Sequence, residues 1–174
     1  MPIDDLPEDT ILRSYATLGS LASAVRDKAF LEKYFKKINH SQYQFFSKED
    51  YPDFRIRLLN CSYKKPEESY KDYLHNYMLT HNFRPEVIGV SATSCQIEEA
   101  EKIAYAARTL IEEVTLIIGG SHVTIEWRKF LKKSSYDIAC IGEGVETFCE
   151  LSLLLHTGDY QNLANIRGLA YKNK

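Results

Sequence analysis

Three short stretches hold the residue types that could do chemistry: Ser91-Ala92-Thr93, Gly119-Gly120-Ser121-His122 and Gly142-Glu143-Gly144. Each follows an apolar run: EVIGVSA at 86–92, VTLII at 114–118 and YDIACI at 136–141. What they offer is binding rather than bond breaking. The hydroxyls of Ser91 and Thr93 can both donate and accept. Two adjacent glycines let a flat or bulky ligand come close to the backbone. A helix starting just beyond them would aim its free N–H groups at the same place. Plainer readings stand beside these. Gly119-Gly120 and Gly142-Glu143-Gly144 also suit tight turns, and Thr93 suits a helix cap. Glu143 and Glu146 read as solvated or capping acids. His122 has no carboxylate partner readable nearby and is expected to orient its loop rather than ligate a metal.

The four cysteines, at 61, 95, 140 and 149, form no C-x-x-C and no three-cysteine cluster motif. A zinc or iron–sulfur site built by this chain alone is therefore not expected. Cys95 and Cys140, beside or inside strand-like runs, read as small buried hydrophobes.

The elements that must position these stretches can be read from periodicity. Ile11, Tyr15, Leu18, Ala22, Val25 and Ala29 recur at helical spacing and predict a helix over 8–38, opened by Pro7, Glu8 and Asp9. Residues 39–52 read as an irregular insertion. FRIRLLN at 54–60 alternates and predicts a strand. Pro66-Glu67-Glu68 predicts a helix start, running to about Asn82. After EVIGVSA, Thr93 and Gln96 have the spacing of a capping box, and Ile97 to Ile111 supply an apolar helical face. Helices are predicted over 123–133 and 145–156, the latter stopped by Gly158. The tail IRGLAYKNK, residues 166–174, could add a short edge strand or lead into a linker.

Strands alternating with helices imply a doubly wound α/β domain: a parallel, flavodoxin-like or Rossmann-like sheet with helices on both faces. In such sheets ligands bind beyond the carboxyl ends of the strands. All three stretches then converge on one rim. Three familiar classes are weakened. No aspartate ends the 86–92 run, as a receiver domain requires. Position 147 is Thr147, where G-x-G-x-x-G needs its third glycine. No P-loop occurs. The formal charge of −2 argues against a nucleic-acid partner. No apolar run reaches membrane-spanning length, and MPIDDLPEDT lacks the apolar region of a signal peptide, so the cytoplasm is the expected setting.

VIGVSATS at 87–94, LIIGGSHVT at 116–124 and DIACIGEGVETFCEL at 137–151 together resemble the cobalamin-binding domain of cobalamin-dependent radical S-adenosylmethionine enzymes. The flavour is that of the anaerobic magnesium-protoporphyrin monomethyl ester oxidative cyclases. TLGSLASAVRD at 17–27 resembles that group's first helix, and residues 165–174 its lead-in to the catalytic barrel. The likeness covers about residues 10–174 as a single domain and is weakest at 32–56.

The resemblance implies cobalamin as cofactor, its nucleotide tail lying against the rim. Ser91 and Thr93 match hydroxyl positions by the tail, Gly119 and Gly120 the glycine pair it approaches, and Gly142, Glu143 and Gly144 a third loop around it. Ser121 stands where the family often has proline. The D-x-H-x-x-G motif of methionine-synthase-like domains is missing, so no protein histidine ligates cobalt in this reading. The chain would bind cofactor for a downstream radical S-adenosylmethionine domain and would not itself be catalytic. The alternative is a small α/β domain that takes another ligand or a protein partner through the same rim.

The family's domain begins with an apolar strand, and MPIDDLPED makes a poor one because proline cannot donate to a ladder. The first strand is therefore expected to be absent or badly formed. That would leave an exposed sheet edge favouring self-association, and weak cobalamin binding.

Overall fold

The computed structural model describes residues 16–32, 53–158 and 160–172. The chain divides into two units, Asn60–Gly144 with Arg167–Lys174, and Met1–Leu59 with Val145–Ile166.

The first of these holds the sheet. Its elements are α2 (Tyr70–Thr80), β1 (Val87–Ser91), α3 (Ile97–Leu110), β2 (Thr115–Gly119), α4 (Ser121–Lys133), β3 (Ile138–Cys140) and β4 (Leu169–Tyr171). The sheet order is β1-β2-β3-β4. β1 and β2 pair in parallel from Val87↔Thr115 to Ser91↔Gly119, and β2 and β3 through Ile117↔Ile138 and Ile118↔Ala139. β4 runs antiparallel to β3, from Ile138↔Tyr171 to Cys140↔Leu169. The expected α/β class is borne out, and the tail takes the edge-strand option. Helices join the parallel strands because a parallel connection needs a long crossover.

Burial explains why these runs became strands. Leu116, Ile117 and Ile118 are buried, as are Ile138, Ala139 and Cys140. β-Branched side chains suit such a pleated, covered surface. Burying Leu116 or Ile118 contributes about 1.5–3 kcal/mol each over leaving it in water. α3 buries Ala100, Ile103, Ala104, Ala106 and Ala107, and the four alanines let backbones approach.

The amino-end side of the sheet is tied by long side chains. Asp137 accepts from the Leu116 N–H at 2.8 Å and from the Arg108 guanidinium at 2.5 Å. Arg108 also reaches the Val114 carbonyl at 2.5 Å. The buried Tyr136 donates its hydroxyl to the Ala100 carbonyl at 2.7 Å, and burial pushes that phenol far above its ordinary range. Glu101 accepts from the Ser135 N–H, and Lys172 donates to the Ser134 carbonyl.

β1 is an edge strand among the described residues. Glu86 and Ala92 exchange bonds with β2, through Thr115 N–H to the Glu86 carbonyl and Ala92 N–H to the Gly119 carbonyl. By parallel-ladder geometry Val87, Gly89 and Ser91 turn their backbone groups the other way. The expected absence of a first strand falls on residues outside those described.

The second unit contains α1 (Ala16–Arg26), residues 53–59, which form neither helix nor strand, and most of α5 (Gly144–Thr157). The single helix expected over 8–38 is interrupted. α1 ends at Arg26, and Asp27 starts a new helical stretch at 28–32 by accepting from the Phe30 N–H at 3.0 Å. The remainder of that expectation, and the 39–52 insertion, lie outside the described residues. FRIRLLN is not a strand; its exposure alternates, but it forms no ladder among the described residues. Arg26 instead donates to the Ile56 carbonyl at 2.6 Å, and the Phe54 ring meets His156 edge-on at 6.0 Å. Alternation specifies two faces but not a neighbour to pair with. α5 stops at Gly158, whose φ is +71°.

One helix start also differs. Pro66-Glu67-Glu68 lies in a turn, and α2 begins at Tyr70 because Ser69 is the better cap: its hydroxyl accepts from the Asp72 N–H at 3.1 Å.

Candidate functional site

The three stretches do meet on one rim, at the carboxyl ends of β1, β2 and β3. Ser91 ends β1 opposite Gly119, which ends β2, and the chain beyond each strand folds over its neighbour. Gly120 makes this contact possible. Its φ is +107°, and a Cβ there would stand 2.3 Å from the Ala92 carbonyl oxygen and 2.9 Å from the Ala92 nitrogen. No side chain fits such a space. The backbone that approaches Gly120 is thus the chain's own, which accounts for this glycine without a ligand. Gly119 differs, since a Cβ there would meet Cys140 at an ordinary 3.7 Å.

Beyond β1, Thr93 opens a short 3-10 turn, Ser94–Gln96, that leads into α3. The Gln96 side chain accepts from the Thr93 N–H at 3.0 Å and from the Thr93 hydroxyl at 2.9 Å. The expected capping pair is present. The Thr93 hydroxyl also lies 3.1 Å from the Cys95 sulfur, so it is engaged within its own turn. Ser91, Thr93 and Ser94 are exposed.

Beyond β2, α4 starts at Ser121 with Gly120 as its cap. The first N–H groups of a helix have no acceptor within the helix, and here they lie at the rim. Ser121 is exposed. His122 joins two loops: its Nδ1 lies 3.1 Å from the Ser94 hydroxyl, and its ring meets Phe130 edge-on at 5.9 Å.

Beyond β3, Gly142 and Glu143 are exposed and Gly144 is half-buried. Gly142 has φ +82°, with open space where a Cβ would be. Its N–H donates to the Thr124 hydroxyl at 3.0 Å. Of the eight residues expected at the site, Ser91 and Gly119 face each other in the β1–β2 register, and Gly119 and Gly120 adjoin the Ala92 backbone. Gly142 joins them through Thr124. Thr93, Ser121, Glu143 and Gly144 share the rim by position.

Sequence reasoning passed over Ala92, Ser94 and Thr124. Thr124 carried a signal: a hydroxyl residue in the first helical turn after a glycine pair. It also treated Cys95 as buried, whereas Cys95 is exposed, because the chain turns into the capped 3-10 segment there. Cys140 is buried beneath the rim, and burial pushes its thiol up to about 12. It stays a neutral thiol, not a thiolate ligand.

The rim therefore presents neutral hydroxyls, helix-terminal N–H groups and a small open loop around Gly142. That donor set suits the polar nucleotide tail of cobalamin, which needs hydrogen-bond partners and room more than charge. Among the described residues, no group of three or more His, Cys, Asp or Glu could hold a bare metal ion.

Comparison with known proteins agrees. Residues 69–152 match the model of the B12 binding domain family, a span that includes all three rim loops. An uncharacterized methyltransferase from Pyrococcus horikoshii is 34% identical over 91 residues, covering 52% of this chain and 19% of that protein. The chain thus spans about a fifth of the length of the curated relative it matches. No solved structure matches. Among the described residues no helix is long and apolar enough to cross a membrane. The stretch that builds the rim is similar to B12 binding domains, and cobalamin is the cofactor that this match indicates.

Proposed function

We propose that this chain is the cobalamin-binding module of a radical S-adenosylmethionine enzyme of the anaerobic oxidative cyclase type. The carrying observation is the joining of three strand-end loops, within the span that matches the family, into one surface of exposed hydroxyls and glycine backbone. In this reading Ser91, Thr93, Gly119, Gly120, Ser121, Gly142, Glu143 and Gly144 receive the nucleotide tail. Gly120 shapes the surface by letting two loops touch, and Ser91 and Ser121 supply free hydroxyls. Thr93 holds the turn beyond β1, and the open side of Gly142 leaves room for the tail. When bound, cobalamin supplies a corrin-held cobalt as the reactive centre. The radical-generating cluster belongs to a partner domain, since this sequence has no three-cysteine motif.

Methyl transfer is a second reading of the parent chemistry. It rests on the name of the Pyrococcus relative. The oxidative cyclase reading rests on the resemblance of the motifs.

The binding step is tested by mixing the chain with hydroxocobalamin, passing it through gel filtration and recording the absorption spectrum. Corrin absorbance that travels with the protein supports the proposal. A colourless, folded protein peak at saturating hydroxocobalamin sinks it. The parent reaction is tested by reconstituting the chain with its radical S-adenosylmethionine partner. Formation of a methylated product would replace the cyclase reading with the methyltransferase one.

A further inference from the structure

We infer that Thr124 is a positioning residue of the rim: its hydroxyl locks the Gly142–Gly144 loop to the Gly119–Gly120 turn, and this lock sets cobalamin affinity. The inference rests on the cobalamin reading above and adds to it a residue outside the tail-binding set. Thr124 is half-buried in the first turns of α4. Its hydroxyl donates to the Gly120 carbonyl at 3.0 Å and accepts from the Gly142 N–H at 3.0 Å. The Gly120 carbonyl also accepts from the Thr124 N–H at 3.0 Å. One hydroxyl thus links two glycines of positive φ, +107° and +82°, from loops that follow different strands.

Glycine is the residue with the most backbone freedom to lose. Gly142 is exposed and has open space around it. The Thr124 hydroxyl is therefore the contact that selects one conformation of its loop from the many available. A loop already held in its receptive shape binds more tightly, because ordering is not charged to the ligand. The side chain has both roles a hydroxyl can play in use on the protein itself, so Thr124 acts through Gly142 rather than on the cofactor.

The test compares Thr124→Val and Thr124→Ser in the full chain. Valine keeps the shape and removes the hydroxyl, while serine keeps the hydroxyl. Two readings are taken: hydroxocobalamin affinity by equilibrium dialysis, and amide hydrogen exchange at Gly142. Thr124→Val is expected to weaken affinity roughly tenfold, on the scale of one hydrogen bond, and to speed Gly142 exchange by a similar factor. Thr124→Ser is expected to stay within about twofold of the original in both.

Equal losses for serine and valine would overturn the inference, since the hydroxyl would not be the cause. So would faster exchange with unchanged affinity. Should the unchanged chain bind no hydroxocobalamin, the cobalamin reading and the affinity half of this inference both fall. Exchange at Gly142 in the two variants still upholds or refutes the lock in that case.

Discussion

The two ends of the parallel strands are held together by opposite means. At the amino ends, long charged or phenolic side chains close on backbone, Arg108 on Val114, Tyr136 on Ala100 and Lys172 on Ser134, and Arg108 also closes on the Asp137 carboxylate. At the carboxyl ends the joints are glycine backbone and short hydroxyls: Gly120 against Ala92, His122 to Ser94, and Thr124 between Gly120 and Gly142. The first end spends its polar groups on itself and leaves little for a ligand. The second end is joined with small parts, and the Ser91 and Ser121 hydroxyls and the first N–H groups of α4 remain available. Stability and binding are thus assigned to different ends of the same strands.

Substitutions can separate the two ends. The largest effect is expected at Gly120. Gly120→Val adds a Cβ 2.3 Å from the Ala92 oxygen at a φ of +107°, and should cost about 4 kcal/mol or more by urea unfolding. Gly120→Ala meets the same Cβ clash and serves if the valine variant does not accumulate. Gly119→Ala should stay within about 1 kcal/mol. Equal costs at both glycines would mean that the joint is not where the structure puts it.

Asp137→Ala comes next. It takes the carboxylate from the Arg108 guanidinium and the acceptor from the Leu116 N–H, which should cost about 2–4 kcal/mol. The pair is partly exposed, with side-chain exposures of 32% and 17%, so the lower half of that range applies. Hydroxocobalamin affinity of the variant, measured where it remains folded, should be unchanged. A large loss of affinity would show that the two ends are not independent.

A smaller stability effect is expected for Gly142→Ala, about 1 kcal/mol of backbone strain with no clash. Its affinity for hydroxocobalamin should fall by more than its stability does, as dialysis and thermal unfolding would reveal together.

The last effect is a pH dependence, spread over several pH units. Burial raises the Cys140 thiol from 9.0 to about 12 in the folded chain. Between those values the unfolded chain releases this proton and the folded chain keeps it. The resulting stability is complete below pH 9.0 and declines as pH rises toward 12. Cys140→Ala should flatten the decline by at most about 1.4 kcal/mol per pH unit. An unchanged slope would place water at Cys140, directly beneath the rim.

The sequence made the sheet legible because each strand was announced twice, by its apolar run and by the small residues that ended it. EVIGVSA, VTLII and YDIACI became β1, β2 and β3 to within a few residues. FRIRLLN failed because its alternation said nothing about a neighbour. Pro66 misled because a residue permitted at a helix start lost to Ser69, which bonds to one. At the site, the convergence of three loops was visible as a consequence of parallel topology. The reason for Gly120 was not visible, because its partner, Ala92, is an unremarkable residue 28 positions earlier that contributes only backbone. Backbone contacts leave no trace in side-chain patterns, whereas Thr124 was marked by its hydroxyl in the first turn after the glycine pair.

Chain order and sheet order coincide from β1 to β4. A nascent chain can therefore add each strand to one already delivered, without waiting for a distant segment. The exception is the far flank of β3. Ile141 N–H finds its acceptor in the Gly168 carbonyl, 2.7 Å away, and the Asp137 carbonyl finds its donor in the Lys172 N–H. These bonds must wait until α5 and the turn beyond it have been synthesised. The loop that begins at Gly142, one residue past Ile141, is thus held at first through Thr124 and gains its second anchor only then. Chains stalled before residue 168 should be cut by protease at 142–144, and chains released past Lys172 should resist.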